Sequence, residues 1–164
     1  MYNCNILNRK SVKSYIHCNL WFRLLLIFQF SFFTLVFSQD PPPGFEFNQS
    51  TMQAFYFFQT ATVDDVVLAS NDWIGAFNGD VCVGSWIWEG PYTTVPTMGD
   101  DGSDWTEGYL NPGIFPDFYI YDASTELVLP ANFVGMETPP FIPNELYNIP
   151  HLAAWFPDCN GEYG

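Results

Sequence analysis

Short apolar runs, broken by Gly, Pro, Asp and Asn, dominate the pattern along the chain from residue 45 onward. Residues 54–63, Ala-Phe-Tyr-Phe-Phe-Gln-Thr-Ala-Thr-Val, are rich in aromatic and β-branched side chains, lack helical periodicity and are apolar on both faces at their start. Such a run predicts one central strand of a sandwich. Residues 73–77 and 81–88 flank Asn78-Gly79, a pair that tolerates the positive φ of a tight turn, so they are expected to form a hairpin. Period-two alternation along its second strand places Cys82, Gly84, Trp86 and Trp88 on one face and Val81, Val83, Ser85 and Ile87 on the other. A later strand, Asp117–Asp122, sets Phe118 and Ile120 against Tyr119 and Tyr121.

Between these runs lie turn-forming clusters, notably residues 99–102 and Asn111-Pro112-Gly113. Short strands with such punctuation predict an all-β fold, an antiparallel β-sandwich of jelly-roll type, rather than a parallel α/β fold that needs helical crossovers. Residues 144–147 or 152–155 leave room for one short helix. No internal repeat is present.

The amino-terminal region has a different character. Arg9, Lys10, Lys13 and Arg23 are the only basic residues, all ahead of the apolar run 24–37, whereas all 18 acidic residues lie at or after Asp40. A basic start, an apolar segment too short to span a bilayer comfortably and a small residue at its end form a secretory signal. Val36-Phe37-Ser38 fits the cleavage site, which makes residues 1–38 a signal peptide and Gln39 the mature start. The competing reading is an uncleaved anchor, since residues 20–22 extend the apolar run. Asp40-Pro41-Pro42-Pro43-Gly44 reads as a stiff entry linker, and the module as residues 45–157.

Once the leader is removed, 18 carboxylates remain with no Lys, no Arg and a single His151. Such a chain has no cations with which to neutralise phosphates, so nucleic acid is excluded as a partner, and so are anionic membrane surfaces. Self-repulsion at this charge calls for screening, by calcium or by a saline medium. The aromatic content distinguishes it from a disordered acidic tail.

Cys82 and Cys159 follow the leader. Outside the cell they invite one disulfide, worth about 4.5 kcal/mol in the chain-entropy model. Alternatively, Cys82 packs as a small hydrophobe and Cys159 pairs beyond this chain.

Three segments carry a resemblance: residues 71–84, Asn-Asp-Trp-Ile-Gly-Ala-Phe-Asn-Gly-Asp-Val-Cys-Val-Gly; Met98-Gly99-Asp100-Asp101-Gly102; and residues 118–124, Phe-Tyr-Ile-Tyr-Asp-Ala-Ser. Together they resemble a secreted module of large surface proteins from marine, Bacteroidota-like bacteria, whose chains often end in an outer-membrane sorting domain. Residues 158–164 look like the opening of the acidic Asp-Cys-x-Gly-x-x-Gly-Gly repeats that follow such modules, which implies that Cys159 belongs to that next element. Relatives often carry a cysteine-containing insertion after the second hairpin strand; residues 89–94 have none, which leaves Cys82 without an implied partner. The resemblance implies surface location and modular architecture rather than a chemistry.

Two groups of residues are candidate sites. Asp100, Asp101, Asp104 and Glu107, with Ser103 beside them, are the densest oxygen cluster and suit Ca2+ in ligand type, though not in EF-hand spacing. The alternative is an acidic turn whose side chains cap backbone amides, and turn-capping is also expected of Asp72 and Asp80. Trp86, Trp88 and Trp105 are candidates for carbohydrate binding, because indole offers a flat apolar face with a polar edge; the alternative places them in the core. No catalytic residue is assigned: His151 is the lone imidazole after the leader, no Gly-x-Ser-x-Gly elbow occurs, and two carboxylates for a glycosidase can be picked at will from so many. The sequence therefore predicts a non-enzymatic extracellular structural or adhesive module, secreted or at the cell surface. Its expected partners are an extracellular glycan or neighbouring modules of the same protein. A carbohydrate-binding module is the first alternative and a small hydrolase the second.

Overall fold

A computed structural model describes residues 39–157. The fold is an all-β sandwich of ten strands, a three-stranded sheet facing a seven-stranded one. In chain order the strands are β1 Gln53–Phe58, β2 Ala61–Val63, β3 Val66–Val67, β4 Trp73–Asn78, β5 Val81–Ile87, β6 Thr93–Met98, β7 Asp117–Asp122, β8 Leu127–Phe133, β9 Leu146–Ile149 and β10 Leu152–Ala154. The small sheet runs β6-β1-β9 and the large one β3-β2-β10-β8-β7-β4-β5. Among the described residues no helix is long and apolar enough to cross a membrane.

The sheets are mixed rather than wholly antiparallel, because β1–β9 and β2–β10 pair in parallel. This follows from how residues 54–63 fold. The run is two strands, broken at Gln59 and Thr60, where the chain passes from the small sheet to the large one. Residues 146–154 make the same passage alongside it, and the two corners are bonded to each other: Gln59 N donates to Ile149 O (2.9 Å) and Leu152 N to Thr60 O (2.9 Å). The segments expected to hold a short helix are therefore strands β9 and β10. The only helical element among the described residues is a 3-10 turn, Asp104–Thr106.

The Asn78-Gly79 hairpin forms, with Gly79-Asp80 as the turn and Asn78 paired to Val81 as the last strand residue. Gly79 takes φ +60 at the first turn position, as a hairpin turn of type II′ requires. The alternation along β5 is broken by a register shift: Phe77 pairs with Cys82 but Ala76 with Gly84, so Val83 is an extra residue. Cys82 consequently shares a face with Ser85 and Ile87, not with Gly84 and Trp86.

Between the sheets, Tyr56, Phe58, Ile74, Val83, Trp88, Val95, Phe118, Ile120 and Leu152 form the main core. Phe118 anchors it, with ring centroids 5.1 Å from Tyr56, 5.4 Å from Phe58 and 5.2 Å from Phe133, tilted or edge-on arrangements that aromatic pairs favour. A second cluster covers the outer face of the large sheet: Phe45, Trp73, Phe77 and Cys82, flanked by Tyr119 and Tyr121. Phe45 reaches it through a turn in which its N–H bonds Pro42 O (3.0 Å), and Ser85 Oγ donates to its carbonyl (2.8 Å). Gly75 leaves room for that ring, since a Cβ there would lie 2.6 Å from Phe45. Strand β4 is thus buried on both faces, which is why its sequence is continuously apolar.

Candidate functional site

Strand β6 is an edge of the small sheet, which accommodates Pro96 despite its missing N–H. Its carbonyl approaches β5 so closely that a Cβ on Gly84 would overlap the Pro96 oxygen. Trp86, two residues further along β5, therefore emerges beside that edge. Phe55 of β1, the cross-strand partner of Pro96, stands next to it. Together with Glu89, Tyr92 and Thr94 these residues line one open hollow of about 280 Å³, near the lower end for ligand pockets and suited to a single ring.

The loop from β5 to β6 is held firmly. Thr93, itself buried, accepts the Glu89 N–H on its hydroxyl (2.9 Å) and donates that hydroxyl to Gly90 O (2.7 Å). Thr93 N also donates to Gly90 O (3.1 Å), and Tyr92 N to Phe58 O (2.7 Å). Tyr92 has φ +71, a left-handed conformation that side-chain-bearing residues adopt at a cost. The residue is nevertheless 62% exposed, so burial does little to offset that cost.

The three candidate tryptophans separate. Trp86 is 43% exposed and lines the hollow; Trp88 is 3% exposed and belongs to the core, so it has no free face to offer. Trp105 is 61% exposed but sits in the 3-10 turn of a loop that packs at the other end of β5, where Asn78 Nδ2 donates to Gly108 O (2.9 Å). Phe55 and Tyr92 were not singled out in the sequence. The available signal was the pairing of an edge-strand proline with an aromatic residue, and that depends on knowing the register.

The acidic loop has the character of a capped turn. Asp101 accepts four hydrogen bonds: Thr51 N (2.9 Å) and Thr51 Oγ1 (3.0 Å) on Oδ2, Ser103 N (3.1 Å) and Thr106 Oγ1 (3.0 Å) on Oδ1. The Thr51 amide, then the Ser103 and Thr106 side chains, hold its carboxyl far below the ordinary range. Asp100 Oδ1 accepts Gly102 N (2.9 Å). Asp100, Asp101, Asp104 and Glu107 do not converge: among the described residues no three His, Cys, Asp or Glu side chains come together as a metal-ligand group. The amides that Asp100 and Asp101 accept are those of a turn cap.

A second hollow, about 440 Å³, lies between the β2–β3 hairpin and the β7–β8 turn, and holds Asp64, Asp72 and Asp122. Each is bonded to backbone amides: Asp72 caps Ala69 N (2.7 Å) and Ala123 N (3.0 Å), Asp122 takes Ser124 N (2.8 Å) and Asp64 takes Phe156 N (3.2 Å). Burial alone would raise Asp122, but donors from Ser124 and Thr125 outweigh it and keep the carboxyl below its usual range. That is opposite to the shift a general acid needs. His151 stands at the strand corner, with Nε2 2.9 Å from Thr62 Oγ1.

Cys82 is buried, has no disulfide partner among the described residues, and lies 3.6 Å from Gly84 O. Burial, with a contribution from the Glu46 carboxylate, pushes its thiol up to about 11. Cys159 and the leader lie outside the described residues. No family model, curated protein or solved structure matches this chain.

Proposed function

We propose that this chain is a secreted, non-enzymatic adhesive module that holds a glycan in the hollow between Trp86 and Tyr92. One observation carries the reading: rings from a strand of each sheet and from the intervening loop converge on an open hollow, and one is kept exposed at a backbone cost. Pyranose rings stack on such faces through their apolar C–H surfaces, while their hydroxyls bond polar rim groups. Here Thr94 and Glu89 provide the rim. The acid-rich composition and the leader-like amino terminus support an extracellular setting.

A glycan array probed with the protein, followed by calorimetric titration of the best binder, tests this. Trp86→Ala should weaken binding at least tenfold, a loss of about 1.4 kcal/mol, in the range found for stacked aromatic contacts. Tyr92→Gly separates function from structure. It should leave stability unchanged or raise it by up to about 1 kcal/mol, because glycine accepts the left-handed backbone, while binding drops. Unaltered binding in both variants would remove the hollow from the function, and a destabilised Tyr92→Gly would give the tyrosine a structural role.

A further inference from the structure

Three of the six residues around the hollow are aromatic, and Glu89 is the only charged one. Aromatic faces attract cations through their quadrupole, and do so more strongly where water is partly displaced. A carboxylate beside the rings adds a directed partner for the same charge. Beyond the hollow, the described residues hold no Lys or Arg to receive a sulfate or uronate group, and the summed field of the acidic chain concentrates cations and repels anions.

Resting on the glycan reading above, we propose that the hollow recognises the protonated amine of an amino sugar, which makes the glycan a glucosamine-type polymer rather than a neutral or acidic one. The sugar ring stacks on Trp86 and Phe55, and its ammonium faces Tyr92 and Glu89. Thr93 Oγ1 fixes the backbone of Glu89 and Phe58 O that of Tyr92 before any ligand arrives, so little backbone ordering entropy is lost on binding.

Calorimetric titration of the full protein in mildly acidic, low-salt buffer compares a glucosamine oligomer, its N-acetylated counterpart, a uronic-acid oligomer and tetramethylammonium chloride. The glucosamine oligomer should bind at least about fivefold more tightly than the N-acetylated one, the scale of a partly exposed ion pair, and the uronic-acid oligomer should not bind. Glu89→Gln should bring that ratio close to one by weakening the glucosamine oligomer more than the N-acetylated one. If the N-acetylated oligomer binds as well as the free amine, and Trp86→Ala still weakens it, amine recognition is wrong and the glycan reading stands. Should tetramethylammonium match the glucosamine oligomer, or no sugar bind at all, both are wrong. Glucosamine binding untouched by either substitution would assign the attraction to bulk charge and overturn the site.

Discussion

Asp101 shows how one carboxylate takes the structural place that a bound ion often fills in an acidic loop. Its two oxygens join the segment before β1 to the loop after β6 through Thr51, Ser103 and Thr106. An anion that collects donors is more acidic in the folded chain than in the unfolded one. The contribution to stability is therefore fully present above the unfolded pKa, about 3.9 for Asp, and diminishes as pH falls below it towards the lower folded value. Asp101→Asn replaces one oxygen by an NH2 that faces donors, so it should lower the melting temperature at neutral pH. That deficit should hold down to about pH 5 and shrink below about pH 4. Thermal melts of both proteins across that range check it; a deficit independent of pH would mean that shape, not charge, matters at this position.

At the scale of elements, the hairpin β4–β5 and its crossing with β6 place the hollow, and Gly84 is the residue on which the crossing depends. The atom a new methyl would strike is the Pro96 carbonyl, part of the backbone and unable to rotate away. Gly84→Ala should therefore cost at least about 3 kcal/mol, the upper end for overpacking. The comparison is Gly79→Ala, where nothing lies within 4 Å and only the φ of +60 is unfavourable, so about 1–2 kcal/mol is expected. Urea unfolding of the two variants gives the ranking, and equal costs would mean that β5 and β6 separate easily. Local signals explain what the sequence revealed of these elements. Asn78-Gly79 announced the hairpin because turn chemistry is contained in adjacent residues, and β7 was legible because Phe118 and Ile120 alternate with Tyr119 and Tyr121 about a well-formed strand. The extra residue at Val83 was hidden, since a bulge leaves composition unchanged and shows only in the pairing. Strands β9 and β10, with four and three residues, are too short for period two to be told from a helical turn; their parallel partners β1 and β2 lie about ninety positions away in the chain. The hollow was half legible for the same reason: Trp86 stands out as a residue type, whereas Phe55 and Tyr92 join it only through β1–β6 register and the loop bonds of Thr93.

Across the whole molecule, a core dense in aromatic rings holds together a chain whose described residues carry many carboxylates and no Lys or Arg. Most of the acids lie exposed at turns, and the two buried ones, Asp72 and Asp122, accept backbone amides, but among the described residues their mutual repulsion acts through solvent and is unpaired by any lysine or arginine. Ions screen that repulsion over a length of about 10 Å at 0.1 M salt and about 3 Å at 1 M. Raising sodium chloride from a few millimolar to sea strength should therefore raise the melting temperature, each 1 kcal/mol of relieved repulsion appearing as roughly 4 °C in a domain of this size. Screening depends on ionic strength, not on ion identity, whereas a cation held by a site adds stability according to its own affinity. Because Asp101 already accepts backbone amides and no three acids gather among the described residues, calcium chloride and sodium chloride at equal ionic strength should raise the midpoint equally. An excess under calcium that a chelator reverses would mean that the carboxylates gather around an ion, and that the acidic loop is held by a metal as well as by its own amides.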